Sequence, residues 1–327
     1  MNTIGIDVDS KYLVCRIRRS GKDFPEARFV NDSAGHRKLI TWATRGKRTA
    51  RICMEATGVY SAPLAILLDA DPRIEVMVAN PKAIKHFATA ILQRGKTDSL
   101  DAGTMLEYVE RMPFTSWHAP SEEVLVIQHI SRRIVQLNTD LTRERNRHAA
   151  AIRLNRIGHV VAEDTAANIH QLQQRIEQLE STLRELIEQI PELSDKLHIL
   201  QSATGIANKT GPRILAELAT LPGDMTGRQW VAHAGLDPRA YESGTSTHKP
   251  RRISKNGNRY LREALYFPAL VASRHDPHVK AYYDKLIARG KKPMQVIVAI
   301  MRKLLLAIWG MFKNKEQWDG NKFYKCA

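Results

Sequence analysis

Two aspartates three residues apart, Asp98 and Asp101 in KTDSLDAGTML, fall in what reads as the first turns of a helix. An i, i+3 pair projects from one helix face, so the carboxylates repel unless a cation lies between them or water separates them. Acids near a helix N-terminus also complement its dipole, and the pair alone does not decide between these roles. Asp7 and Glu55 bear on the choice. Each closes a strand-like stretch, TIGIDVD and ARICMEA, and if the two strands are neighbours their ends converge. Four carboxylates would suit two divalent cations about 3.5 to 4 Å apart, which clamp attacking and leaving oxygens in phosphodiester displacement. Mg²⁺ (or Mn²⁺) prefers such oxygen ligands. Each acid has a plainer alternative: Asp7 an exposed strand end, Glu55 a capping acid before Ala56-Thr57-Gly58, Asp98 a first-turn acid. Asp9 is a rival to Asp7, since two residues along a strand return to the same face.

The elements that would position these groups follow from periodicity. Residues 3–9, 12–19 and 27–31 read as three antiparallel strands, the first two a hairpin. A helix over 33–43, a strand over 50–56, a helix over 60–68, a strand over 74–80 and helices from Pro81 and Thr97 complete a mixed sheet flanked by helices. After MPFTSWHAP the pattern turns to long helices. One spans roughly 121–155 with Ile127, Ile130, Ile134, Leu137 and Leu141 on one side. Its outer face carries Arg132, Arg133, Arg143, Arg145 and Arg147. In the next, apolar residues from Ile169 to Ile190 recur at steps of three and four before Pro191, a seam that predicts a coiled coil or a helical hairpin within the chain. Residues 200–218 read as two short helices joined by a Gly-containing turn, of a kind that can bind phosphate through backbone amides. The apolar stretch 293–312, broken by Arg302 and Lys303, reads as a core helix with its charges snorkelling outward. The fold class is therefore α/β plus α, with parts at 1–118, 119–194 and 195–327.

Charge points to the partner. The 327 residues hold 50 Lys plus Arg against 34 Asp plus Glu, a net +16, which favours a polyanion and above all nucleic acid. No N-terminal signal pattern or uninterrupted apolar run of about 18 residues is found, so the expectation is a cytoplasmic protein without a membrane partner. Cys15, Cys53 and Cys326 are widely spaced and form no CxxC pair, which suggests neither a disulfide framework nor a zinc site. Between Thr245 and Arg262 there is no acid, while Lys249, Arg251, Arg252, Lys255, Arg259 and Arg262 supply six positive charges. Arg251, Arg252, Lys255 and Arg259, with Arg132 and Arg133, are the candidate nucleic-acid contacts.

IGIDVDS, ICMEATGVY, KTDSLDA and AGLDPRAYESGTS, in this order and spacing, closely resemble the DEDD insertion-sequence transposases, a family that includes bridge-RNA-guided recombinases. The resemblance covers nearly the whole chain. It implies a ribonuclease H-like N-terminal domain similar to Holliday-junction resolvases, a helical coiled-coil insertion, and a C-terminal transposase domain with a nucleophilic serine. Carried over by motif, the metal-binding acidic tetrad falls on Asp7, Glu55, Asp98 and Asp101, and the serine on Ser243; without the family, Ser246 and Ser254 are equally eligible. Asp9 and Ser10 follow the first aspartate where small or polar residues are usual, and GIA stands in place of GIG, but neither departure touches a proposed catalytic group.

The same resemblance implies target and donor duplexes as substrates, a structured bridge RNA as guide, and homodimers assembling to a tetramer with sites shared between subunits. No convincing zinc finger or helix-turn-helix offers another way to read sequence. A metal-dependent nuclease similar to junction resolvases, without a covalent serine, is the alternative enzyme. A basic RNA-binding scaffold is the non-enzymatic one. The DNA sites, the guide and the end joined to the serine are not legible.

Overall fold

The computed structural model describes residues 1–95, 97–239, 242–243, 247–248 and 252–325, which form two compact units, Met1–Ala119 and Pro120–Ala327. In the first, β1 (Asn2–Val8), β2 (Tyr12–Arg19), β3 (Lys22–Asp23) and β4 (Ala27–Val30) are followed by α1 (Ser33–Ala43), β5 (Ala50–Glu55), α2 (Ala62–Asp69), β6 (Ile74–Ala79), α3 (Pro81–Ala90) and α4 (Asp98–Arg111). The sheet runs β3-β2-β1-β5-β6, with β4 also on β2; β1 is antiparallel to β2 and parallel to β5, and β5 is parallel to β6. This is the mixed sheet expected, with a two-residue strand at Lys22 added.

Period-two alternation assigns the faces of the sheet. Ile4, Ile6, Ile52 and Met54 are fully buried and pack with Leu39 of α1 and Leu64 and Leu68 of α2. Gly5, Asp7, Cys53 and Glu55 alternate to the other face, where Cys53 packs with Ile84 of α3 and Met105 and Val109 of α4. Gly5 is what lets α4 lie on β1. A Cβ at this position would stand 2.1 Å from the Ala102 carbonyl oxygen and 2.3 Å from the Leu106 nitrogen, so any larger residue would force helix and strand apart. Arg18 of β2 fastens the same helix, pairing with Glu107 at 2.8 Å and with Glu110.

In the second unit, α5 (Glu122–Arg153) and α6 (His159–Glu188) are followed by α7 (Pro191–Gln201), α8 (Thr210–Leu218) and α9 (Gly227–His233). Then come β7 (Pro238–Arg239), β8 (Glu242–Ser243), β9 (Thr247–His248), β10 (Arg252–Ile253), α10 (Arg259–Ala264), α11 (Tyr266–His275), α12 (Pro277–Ala288), α13 (Pro293–Asn314) and α14 (Gly320–Phe323). The seam on α6 packs on its own chain: Leu172, Ile176, Leu183 and Ile187 share a core with Ile127, Ile134, Leu137 and Leu141 of α5. Of the two readings left open by the heptads, the structure takes the helical hairpin. That core continues through α7, α8 and α13. α13 is long and apolar enough to cross a membrane by length and composition, but its Val296, Ile300, Leu304, Leu305 and Ile308 are buried in this core. Arg302 is exposed, as expected. Lys303, in contrast, lies over the rings of Tyr282 and Phe323, 4.4 and 4.7 Å from their centroids.

Candidate active site

The parallel ladder of β1 and β5 pairs Gly5 with Cys53 and Ile6 with Met54, so Asp7 and Glu55 come next in line on the face that α4 covers. Thr97 caps α4, its hydroxyl accepting from the Leu100 N–H at 3.2 Å, and thereby starts the helix at Asp98. With Ala102 and Leu106 held against Gly5, Asp98 and Asp101 occupy the preceding turn, toward the C-terminal end of β1. The half-buried Asp7 registers the convergence. Burial, then the charges of Asp101, Asp98 and Glu55, push its carboxyl from the ordinary 3.8 up to about 6. Asp9 is not part of this set. It lies past the end of β1, exposed, and accepts from the Lys11 N–H at 3.2 Å to close the β1–β2 turn. Those turn hydrogen bonds hold its carboxyl below the ordinary value.

The acids fit a divalent cation by chemistry, being hard oxygen donors whose mutual repulsion a cation would relieve. As placed, however, no three His, Cys, Asp or Glu side chains among the described residues close to ligation distance around one point. Ligation would therefore require side-chain rotation, which the exposed Asp98 is free to make.

Around the predicted serine the described residues form a stem. β7 pairs with β10, Arg239 opposite Arg252, and β8 with β9, Ser243 opposite Thr247; the Ser243 side chain and all of Arg251 and Ser246 lie outside the described residues. Backbone bonds join Ser254 N–H to Asp237 O at 2.9 Å and Asn258 N–H to His233 O at 2.7 Å. Ser254, eligible as a nucleophile by sequence, donates its hydroxyl to Asp237 and so braces the stem. Arg252, Lys255 and Arg259 are exposed, with Arg259 reaching the Tyr260 hydroxyl at 3.1 Å.

Residues 197–284 match the family described as "Transposase IS116/IS110/IS902 family", and residues 4–155 match the DEDD-type IS110 family described as "Transposase". The chain belongs to this transposase family. It is 28% identical over 321 residues to the "Pilin gene-inverting protein" of Moraxella bovis, covering 97% of each chain. A protein of the same name from Moraxella lacunata is equally similar. The "Insertion element IS110 uncharacterized 43.6 kDa protein" of Streptomyces coelicolor is 27% identical over 155 residues, 47% of this chain and 37% of that protein. The transposase is accordingly a DNA-rearranging enzyme.

Two structural features of the transposase were not foreseen. Gln93 reaches Asp101 at 3.4 Å and accepts from the Thr104 hydroxyl, a brace across the α3–α4 connection. The other is a polar node around Glu217 that engages Arg132, expected on the outer face of its helix. Glu217 of α8, 1% exposed, receives both arms of the Arg132 guanidinium at 2.8 Å and the Asn258 amide at 2.6 Å. Arg132 also lies over the Tyr260 ring, 4.9 Å from its centroid. Its charge ties α5 to the foot of the serine stem, whereas Arg133, one residue on, is exposed and donates to Gln136 one turn along the same helix. Glu217→Ala is expected to destabilise the second unit by about 3 to 5 kcal/mol, because it strands a partly buried guanidinium. Urea unfolding followed by circular dichroism checks this, and a loss below about 1 kcal/mol would show that the node is dispensable.

Proposed function

We propose that the transposase cuts and rejoins DNA through Ser243 as nucleophile, assisted by a Mg²⁺ or Mn²⁺ site on Asp7, Glu55, Asp98 and Asp101, and that a bound bridge RNA selects the DNA. The observation that supports this reading is the convergence of Asp7 and Glu55, at neighbouring ends of parallel β1 and β5, with Asp98 and Asp101 in the first turn of the helix packed on β1. The cation's contribution, when bound, is to stabilise charge on the attacking and leaving oxygens. The Ser243 oxygen bonds to phosphorus as the bond from phosphorus to one deoxyribose oxygen breaks, and the serine proton ends on that oxygen, which leaves as a strand hydroxyl. A strand hydroxyl then displaces serine and restores the proton, so the phosphodiester is exchanged without an external energy source. Gene inversion, for which the Moraxella relatives are named, is a rearrangement of the same kind.

The N-terminal part, 1–118, serves as a ribonuclease H-like catalytic domain, 119–194 as the helical connection and 195–327 as the serine-bearing domain. Arg133, Arg251, Arg252, Lys255 and Arg259 contact phosphates, while Arg132 is left out because Glu217 holds it. Homodimers pair into a tetramer on two duplexes, in the cytoplasm of the host cell.

The test is covalent trapping. Wild type incubated with labelled DNA and Mg²⁺, then denatured, is expected to carry label that Ser243→Ala lacks, with cleavage lost in parallel. Cleavage retained by Ser243→Ala would make the enzyme a hydrolytic nuclease instead. Sequencing RNA that co-purifies, then offering DNA that matches its loops, tests the guide.

A further inference from the structure

A groove of roughly 490 Å³ opens in the second unit between the 219–226 turn, α9 and α13. We propose that it holds one unpaired nucleotide of a single-stranded segment. Among the described residues, none of the acidic tetrad or the serine stem lines it.

Three aromatic rings and two lysines define the groove. Trp309 is fixed in orientation because its indole N–H donates to the Met225 carbonyl at 2.9 Å, and it and Phe312 remain partly exposed. Trp230, 8% exposed, meets Phe312 edge to face with centroids 6.1 Å apart. Its indole N–H is buried and has no acceptor among the described residues. Lys313, exposed, stands 5.0 Å from the Trp309 ring centroid, and Lys196 6.0 Å from that of Phe312. Lys196 shares its charge with Glu192 at 2.6 Å, which leaves Lys313 as the stronger cation on the rim. Asp224 supplies a carboxylate acceptor on the turn.

A nucleotide matches each of these features. Its base stacks on a fixed indole, its exocyclic amine can donate to Asp224, and its phosphate meets Lys313. An apolar peptide would leave the lysines and Asp224 without a role. A base paired in a duplex could not present its face to Trp309, so the occupant is unpaired, and either RNA or a displaced DNA strand would supply it. This inference rests on the family's action on DNA and not on the serine or metal proposals.

The test is intrinsic tryptophan emission of the full chain, titrated with a short single-stranded RNA, the same sequence as DNA, and the blunt duplex. Single strands are expected to quench emission, and Trp309→Ala or Lys313→Glu to weaken single-strand binding on the order of tenfold. Binding of the blunt duplex should be unchanged. Tighter binding of the RNA assigns the site to a guide, and of the DNA to a displaced strand. Trp318→Phe, a tryptophan that does not line the groove, should bind as wild type. Lys313→Glu is at an exposed position, so it keeps the test valid if Trp309→Ala fails to fold. Wild-type single-strand affinity in a folded Lys313→Glu and in a folded Trp309→Ala, or a groove filled equally well by duplex, would overturn the inference.

Discussion

Asp7→Asn is expected to abolish strand cleavage and yet to make the first unit more stable at pH 8 in the absence of divalent ions. In the folded protein the Asp7 carboxyl is raised from 3.8 to about 6, so between those values the folded state binds more protons than the unfolded chain. Stability therefore falls as pH rises: the favourable contribution is whole below about pH 4 and lost through pH 6. A two-unit shift corresponds to about 3 kcal/mol, and because Asp7 is half-open to water, screening reduces the expected gain from asparagine to about 1 to 2 kcal/mol. Adding Mg²⁺ should raise the melting temperature of wild type by mass action and leave Asp7→Asn nearly unmoved. Thermal melts at pH 4 and pH 8, with and without Mg²⁺, check all of this. Asn variants of Asp98 and Asp101 and Gln at Glu55 should be equally inactive. Full cleavage by any one of the four in Mg²⁺, or a destabilised Asp7→Asn at pH 8, would refute the shared carboxylate site.

Mixing Asp101→Asn with Ser243→Ala is expected to restore part of the cleavage that each variant lacks. Asp101 and Ser243 belong to separate compact units of the chain. If one subunit's acids serve its partner's serine, some mixed assemblies contain one site with both groups intact. Two affinity tags establish that mixed oligomers form on DNA and RNA, and a gel reads cleavage. Mixed oligomers without cleavage would show that each protomer completes its own site.

The acidic site was largely legible because its positions follow from local rules. Asp7 and Glu55 end alternating strands, and Asp98 and Asp101 share a helix face, so period and face alone bring them to one region once the strands are parallel neighbours. Period alone did not choose between Asp7 and Asp9, which share a face; the family resemblance named Asp7, and the physical distinction is that β1 ends at Val8 and turns there, with Asp9 in the turn. Gly5 looked like any strand glycine until the Ala102 carbonyl was found against it. The ion pair of Arg132 was hidden for a related reason. Its partner Glu217 is 85 residues away, and a run of arginines on a helix looks the same whether one of them is held in an ion pair or all face solvent. The hairpin of α5 and α6 was half legible, since heptads record that a face is apolar and not which chain covers it.

The ladder of β1 on β5 also makes Asp7 a guardian of sheet register. Pairing Ile6 with Met54 leaves Asp7 on the α4 face, half-open to water. A slip of β1 by one residue would turn that carboxylate among Leu39, Leu64 and Leu68, where an ionised group without partners costs several kcal/mol. The Asp7 carboxylate therefore penalises the neighbouring misfold as it forms. Replacing Asp7 with leucine would remove that penalty along with activity, and leave β1 with two nearly equivalent ways to sit in the sheet.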